Sequence, residues 1–305
     1  MAYLISIIGC GRVGKTLGKL FHDHQVFSIG AILNRTLQGA KDSVAFIGAG
    51  TPTQSIDDCL DSDIILIGTP DHQIESVAQI LAGKTLKSNC VVFHCSGLLT
   101  SDVLADARGV HVQVADAGGA DARDVQIQQY ASVHPFNSFA NPEMSSRSFD
   151  LTPCAIEGSP FAMNILKPAF TKIGGAVFEI AKEKKALYHA AAAMVSNHFV
   201  ALIETALTMY EQCGFERADS LKLIAPIARV TLDNILKLDT TKALTGVVSR
   251  GEVHSVSEHL KSLEHYPHLK NIYACLAKEL LPLAKQQGNA SDNALKEIKV
   301  LLDTN

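Results

Sequence analysis

The apolar run Leu4-Ile5-Ser6-Ile7-Ile8 stops at Gly9-Cys10-Gly11-Arg12-Val13-Gly14, and an amphipathic stretch, Lys15-Thr16-Leu17-Gly18-Lys19-Leu20-Phe21, follows at once. This order reads as strand, glycine turn and helix. In that setting the first glycine permits the sharp turn, the second lets the backbone approach a pyrophosphate that a Cβ would block, and the third lets helix and strand pack closely. Phosphates would then sit on the helix N-terminus, where free N–H groups and the helix dipole favour negative charge. The segment is therefore read as a dinucleotide cradle, with a phosphate-free glycine turn as the plainer alternative.

A second apolar run, Val26-Phe27-Ser28-Ile29-Gly30-Ala31-Ile32-Leu33, ends at Asn34-Arg35-Thr36, about twenty residues past Gly14. NAD sites usually carry Asp or Glu at this point, a carboxylate that binds both ribose hydroxyls and repels a 2′-phosphate. Arg35 can instead pair with that phosphate through its fork of donors, with Asn34 and Thr36 as neutral donors for the same group. The spacing predicts NADP over NAD, unless Arg35 is only a solvated arginine at a strand end.

Composition narrows the class. The chain has 305 residues, enough for two domains, and a net charge of -4 from 31 acidic and 27 basic residues, with no basic block or stripe. Nucleic acid is not an expected partner. The strand begins within three residues of the N-terminus, and no uncharged apolar stretch reaches the roughly twenty residues of a membrane helix, so a cytoplasmic protein without a membrane partner is expected. Seven cysteines without a C-x-x-C pair suit a reducing compartment, with Cys90 and Cys95 read as buried thiols.

The first half goes on alternating. Asp63 to Gly68 reads as a buried strand, Asp71 to Leu81 as a helix, and Asn89 to His94 as another strand. Residues 109–130 carry turn signals without a firm period and read as an excursion before the strand Tyr130 to Val133. Pro153 to Ile156 and Ala176 to Ile180 read as late strands around a helix beginning near Ser159-Pro160. From Ala181 onward the spacing is helical: a long helix from Lys182 to Cys213, stopped by Gly214, then Arg217 to Leu238, Val253 to Leu263, Pro267 to Lys285 and Ser291 to Leu302. Its small, apolar middle, Ala190 to Val195, is expected to be buried against other helices.

Polar residues cluster where a parallel sheet binds ligands, at the carboxyl ends of strands. Thr69-Pro70-Asp71, His94-Cys95-Ser96-Gly97 and His134-Pro135-Phe136-Asn137 each follow a strand, and all three are expected to face the cofactor. His189, Ala193 and Asn197 are spaced i, i+4, i+8 and would share one helix face. Arg250, in the glycine-flanked stretch Leu244 to Glu252, is suited to hold an anionic substrate. His94, Cys95 and His134 lack a metal-ligand spacing motif, so no metal is expected.

Taken together, Gly9 to Gly14, Asn34-Arg35-Thr36, Thr69-Pro70-Asp71, His94 to Gly97, Ser132 to Pro135, Tyr188 to Ala192 with Ser196-Asn197, and Leu244 to Gly246 with Arg250-Gly251 resemble a family of Rossmann-like oxidoreductases whose C-terminal domain is a domain of unknown function. That family is similar to pyrroline-5-carboxylate reductases, prephenate dehydrogenases and 6-phosphogluconate-type dehydrogenases. The resemblance implies NADP binding and homodimers through the helical domain. It also implies departures: the hydroxyacid dehydrogenases carry a lysine four residues before an asparagine on the long helix, where this chain has Ala193 before Asn197. His189 is the nearest titratable replacement, and His134-Pro135 resembles a prephenate dehydrogenase motif. The loop from Leu244 has Val247 where the family usually has proline, and ends in Arg250-Gly251-Glu252 where the family usually has Arg-Gly-Asp.

The expected fold is α/β, a doubly wound parallel-sheet Rossmann domain over 1–180 followed by an all-helical domain over 181–305. Cofactor contacts are expected from Gly9, Cys10, Gly11, Arg12, Val13, Gly14, Asn34, Arg35, Thr36, Thr69, Pro70, Asp71, His94 and Ser96, substrate contacts from Ser96 and Arg250, and catalysis from His189, Asn197 and His134. Two functions stay open. One is an NADP-dependent oxidoreductase moving hydride to or from a small anionic carbonyl, imine or hydroxy compound. The other is an NADP-binding sensor or assembly protein without turnover, in which the histidines only pack.

Overall fold

A computed structural model describes residues 3–107 and 127–304. The chain divides into two compact units, Met1–Ser196 and Asn197–Asn305. In the first, β1 (Leu4–Ile8), α1 (Arg12–Asp23), β2 (Ser28–Leu33), α2 (Leu37–Ile47), β3 (Thr51–Thr53), β4 (Ile64–Ile67), α3 (Asp71–Ala82), β5 (Val91–His94), α4 (Asp102–Ala105), β6 (Gln129–Pro135), α5 (Pro142–Arg147), β7 (Pro153–Gly158), α6 (Pro160–Lys172), β8 (Ala176–Glu179) and α7 (Lys185–Val195) follow one another. Among the described residues the sheet has the order β3-β2-β1-β4-β5-β6-β7-β8. Its pairs are parallel except β6 with β7, where Ser132 lies opposite Glu157. The excursion expected over 109–130 falls mostly outside the described residues.

The sequence builds both faces of this sheet through its period of two. In β4, Ile64 and Leu66 join Phe21, Phe93 and Phe170 on one side, whereas Ile65 and Ile67 join Ile74, Leu81 and Leu104 on the other. Helices α1 and α6 cover the first side and α3 the second. Doubly wound packing follows from strands that are apolar on both faces.

The turn after β1 is held by backbone contact. Gly9 has φ +81°, and a Cβ there would lie 2.5 Å from Thr69 Cγ2 and 2.8 Å from Thr69 N. Gly11, two residues on, has nothing within 4 Å of its Cβ position. The two glycines therefore answer different demands: Gly9 meets protein, Gly11 meets open space.

The second unit is helical: α8 (Asn197–Gln212), α9 (Arg217–Leu238), α10 (Thr240–Ala243), α11 (Val253–Ser262), α12 (Pro267–Gln287) and α13 (Asp292–Asp303). Val256, Leu260, Ala277, Ala284, Ile298 and Leu302 form its core. The long helix expected from Lys182 to Cys213 is interrupted at Ser196, whose φ −115° and ψ −77° leave the helical path. Asn197 opens a new helix, so the spacing through His189, Ala193 and Asn197 crosses a helix boundary. Apart from Ala192, the alanine-rich middle is not buried either: Met194 and Val195 are 58% and 67% exposed. A segment apolar all round needs cover, but its own chain does not have to supply it. By length and a mean hydropathy of 1.4 the stretch Lys182–Gln212 would also suffice to cross a membrane.

Gly9→Ala is expected to cost about 2–4 kcal/mol, from the left-handed backbone and the clash with Thr69 together. Gly11→Ala should cost less than about 1 kcal/mol, since its added methyl meets nothing. Urea midpoints of the two variants measure the contrast.

Candidate functional site

Two cavities meet at the glycine turn. The larger, of about 820 Å³, runs from Gly9, Gly11, Arg12 and Lys15 to Arg35 and Thr36. Among the described residues, three cations border it and no carboxylate does. The smaller, of about 570 Å³, shares Gly11, Arg12, Thr69 and Pro70 and extends past Asp71, Cys95 and Ser96 to Ser138, Phe139 and Ala140. Val13 borders this second lobe.

The residues fit a dinucleotide on three observations. The α1 N-terminus has no side-chain cap and no acidic residue in its first turn, so its amides are left for an external anion. Gly11 opens onto space. Thr69 Oγ1 is a buried hydroxyl without a partner among the described residues, at the join of the two lobes.

Several expected contacts turn out to serve the scaffold. Asn34 Oδ1 accepts from Cys10 N at 2.7 Å, and its amide donates to Gly39 O and Ser43 Oγ at 2.8 and 3.0 Å. The donors expected for a phosphate are thus taken, and Asn34 clamps the glycine turn to α2. Thr36 caps α2, accepting from Gly39 N at 3.1 Å. Burial pushes the Cys10 thiol up to about 11, so it stays protonated and inert. His94, expected at the cofactor, is fully buried: Nδ1 accepts from Ser96 N and Nε2 donates to Thr100 O, both at 3.2 Å. As the last residue of β5 its side chain turns into the core, where it shapes the loop instead of reaching the cavities.

That loop carries the polar groups that do reach them. Ser96 Oγ donates to Asp71 Oδ2 at 2.6 Å and accepts from Leu98 N and Leu99 N at 3.1 and 2.9 Å. One hydroxyl therefore locks the start of α3 to the loop after β5. Next to it, a Cβ on Gly97 would strike His189 Cδ2 and lie 2.8 Å from His134 Nε2. Glycine is needed there so that two imidazoles can close on the loop. Their ring centroids are 5.7 Å apart at 78°, and His134 Nδ1 meets the Tyr188 hydroxyl at 3.2 Å.

Burial, and then His189 and Lys185 nearby, hold His134 down at about 4; burial chiefly holds His94 at about 3. Both are neutral at pH 7. Lys185, which the sequence reading overlooked, lies beneath this cluster: fully buried, it donates to Leu99 O and Ser132 Oγ and pairs with Glu157 Oε1 at 3.1 Å. Arg250, in the second unit, is exposed and donates from Nε to Glu252 Oε1 at 2.6 Å, so its own loop already occupies one donor.

Stability should fall on acidification. In the unfolded chain both histidines protonate near 6.5, whereas the folded chain refuses the proton until about 4 and about 3. Between those values the unfolded state holds more protons, so folding stability declines as pH drops below 6.5. Unfolding free energies from denaturant titrations at pH 7.5 and pH 5 should differ by on the order of a few kcal/mol, and His94→Gln should flatten the slope.

The comparisons with known proteins agree with this architecture. Residues 2–110 match the model of a Rossmann-like domain, and residues 152–280 match a domain of unknown function, DUF2520. No curated protein matches the chain. Among solved structures, a Thermotoga maritima protein is 26% identical with a TM-score of 0.69, covering 93% of this chain and 99% of its own. The Plasmodium falciparum pyrroline carboxylate reductase with NADP bound is 13% identical, with a TM-score of 0.58 and 98% of each chain covered. Prephenate dehydrogenase from A. aeolicus, in complex with hydroxyphenyl propionate and NAD+, is 15% identical with a TM-score of 0.52, over 98% of this chain and 97% of its own. The chain thus shares the fold of these structures, with a Rossmann-like match over residues 2–110 and a DUF2520 match over residues 152–280.

Proposed function

We propose that the chain is an NADP-dependent oxidoreductase acting on a small anionic carbonyl, imine or hydroxy compound. The observation that carries this reading is the pairing of a lobe bordered by Arg12, Lys15 and Arg35, with no carboxylate among the described residues, with a second lobe edged by Asp71 and Ser96. The first suits an adenosine 2′-phosphate, which Arg35 would hold, and the second suits a nicotinamide riboside. Bound NADP would supply hydride exchange at the nicotinamide. The protein's part is to position the substrate and to exchange a proton with its oxygen or nitrogen.

Burial keeps His134 neutral near pH 7, which makes it a poor acid. We therefore give the proton-partner role to His189, half-buried on the second turn of α7 and stacked edge-on to His134. His134 would accept a hydrogen bond and orient the substrate. The helical part beyond residue 181 would pair two copies; exposed Phe199, Val200, Ile227 and Val230 on α8 and α9 support such an interface. Seven free thiols suit a cytoplasmic, reducing setting.

Calorimetry is expected to give NADP a dissociation constant at least about tenfold below that of NAD, about 1.4 kcal/mol, with the preference lost in Arg35→Ala. Equal affinities in the parent protein would sink the NADP assignment. An NADPH oxidation screen over keto acids and imines tests the chemistry. On a substrate so found, His189→Ala should lose about a hundredfold in turnover with NADP affinity within about twofold. Near-normal turnover in that variant would move the proton to His134 or water, and tight NADP binding with no turnover on any compound would replace the enzyme by a non-catalytic sensor.

A further inference from the structure

Lys185 is the first residue of α7, and Tyr188 and His189 stand three and four residues later, on the same face one turn on. Its ammonium has three donors and spends them on three different segments. One goes to Leu99 O, two residues past the Gly97 that both imidazoles touch; one goes to Ser132 Oγ, two residues before His134 on β6; the third meets Glu157 Oε1 at 3.1 Å. Glu157 in turn accepts from Ser101 N at 2.7 Å and Ser101 Oγ at 2.6 Å, so its carboxylate grips the far end of the same loop. Both partners are almost wholly buried, at 0% and 4% exposure.

A buried ion pair is an expensive way to hold a fold, because desolvation cancels much of the attraction, and a well-packed apolar pair would often do as well. What apolar side chains would not do is fix three strand- and loop-ends to one point with directional bonds. Here those ends are the ones that carry Gly97, His134 and His189.

We propose that the Lys185–Glu157 pair is a positioning device for the His134–Tyr188–His189 cluster. Lys185 seats the first turn of α7 so that His189 and Tyr188 meet His134 across Gly97, while Glu157, opposite Ser132 across the antiparallel β6–β7 pair, holds the ammonium and the loop. Neither residue lines either lobe of the cleft, so the pair acts through the cluster and touches no cofactor. The inference rests on reading that cluster as the proton-handling part of the site.

The test is the double variant Lys185→Met/Glu157→Gln, which removes both charges at nearly constant volume. Lys185→Met alone would strand a buried carboxylate and is expected to melt well below the parent. The double variant should fold and bind NADP within about twofold of the parent by calorimetry. Nuclear Overhauser contacts from the His134 ring to the Tyr188 and His189 rings, which loss of charge alone does not alter, should weaken at least twofold. On a substrate found in the screen, kcat should drop at least about tenfold. If the double variant does not fold, Glu157→Gln, which keeps an acceptor for Ser101, carries the same expectations at smaller size. Ring contacts at parental intensity in a folded variant overturn the proposal, whatever happens to turnover. Weakened contacts together with an active His189→Ala uphold the positioning role and overturn the assignment of His189 as proton partner, so the two failures are told apart.

Discussion

Main chain against main chain at Gly9 is the contact on which the cleft depends. A Cβ on Gly68 would come within 2.7 Å of Gly9 O, and one on Gly14 within 3.3 Å of the same atom. The end of β1, the end of β4 and the first turn of α1 therefore converge on one carbonyl. Side chains there would push the strand ends apart, and the opening into which α1 directs its amides would lose its shape. The rest of the site is hung from that point: Thr69-Pro70-Asp71 follows Gly68, Asp71 holds Ser96, and Ser96 shapes the loop that carries Gly97.

Much of this was legible in the sequence because it depends on local rules. The glycine turn, the apolar strands β1, β4 and β5, and the helix from Asp71 follow from period and turn chemistry, and the structure has them within a few residues. The short β3 and α5 were missed, since three to six residues carry no usable period. His94 was misjudged for a different reason. A polar residue at a strand end normally points to the crevice, and only the hydrogen bonds to Ser96 and Thr100 explain how an imidazole can be fully buried instead. Asn34 shows the same limit: the position was found, but its partners, Cys10 and Ser43, lie on other elements and leave no trace in the local pattern.

Four residues ahead of Asn197, where the hydroxyacid dehydrogenases carry a lysine, stands Ala193. A lysine does occur on this helix, four residues before His189, but in a stretch with Lys182 and Lys184 it reads as one of several solvated cations. Its partner, Glu157, is 28 residues away on an antiparallel strand, and β7 was not read as running against β6. Without that reversal Glu157 has no reason to stand opposite Ser132. Buried charge pairs of this kind are set by sheet register, a property that no single segment contains.

Both edges of the sheet are poor templates for another strand. At one edge β3 is three residues long with Pro52, which has no N–H to offer, in its middle; at the other β8 is four residues long and ends in Glu179, paired with Lys167. A neighbouring chain would find few main-chain hydrogen bonds to add at either side. Sheet extension, the usual route by which an exposed strand invites aggregation, is thus disfavoured at both described edges, and the exposed apolar side chains that could pack selectively against a partner lie mostly on helices instead.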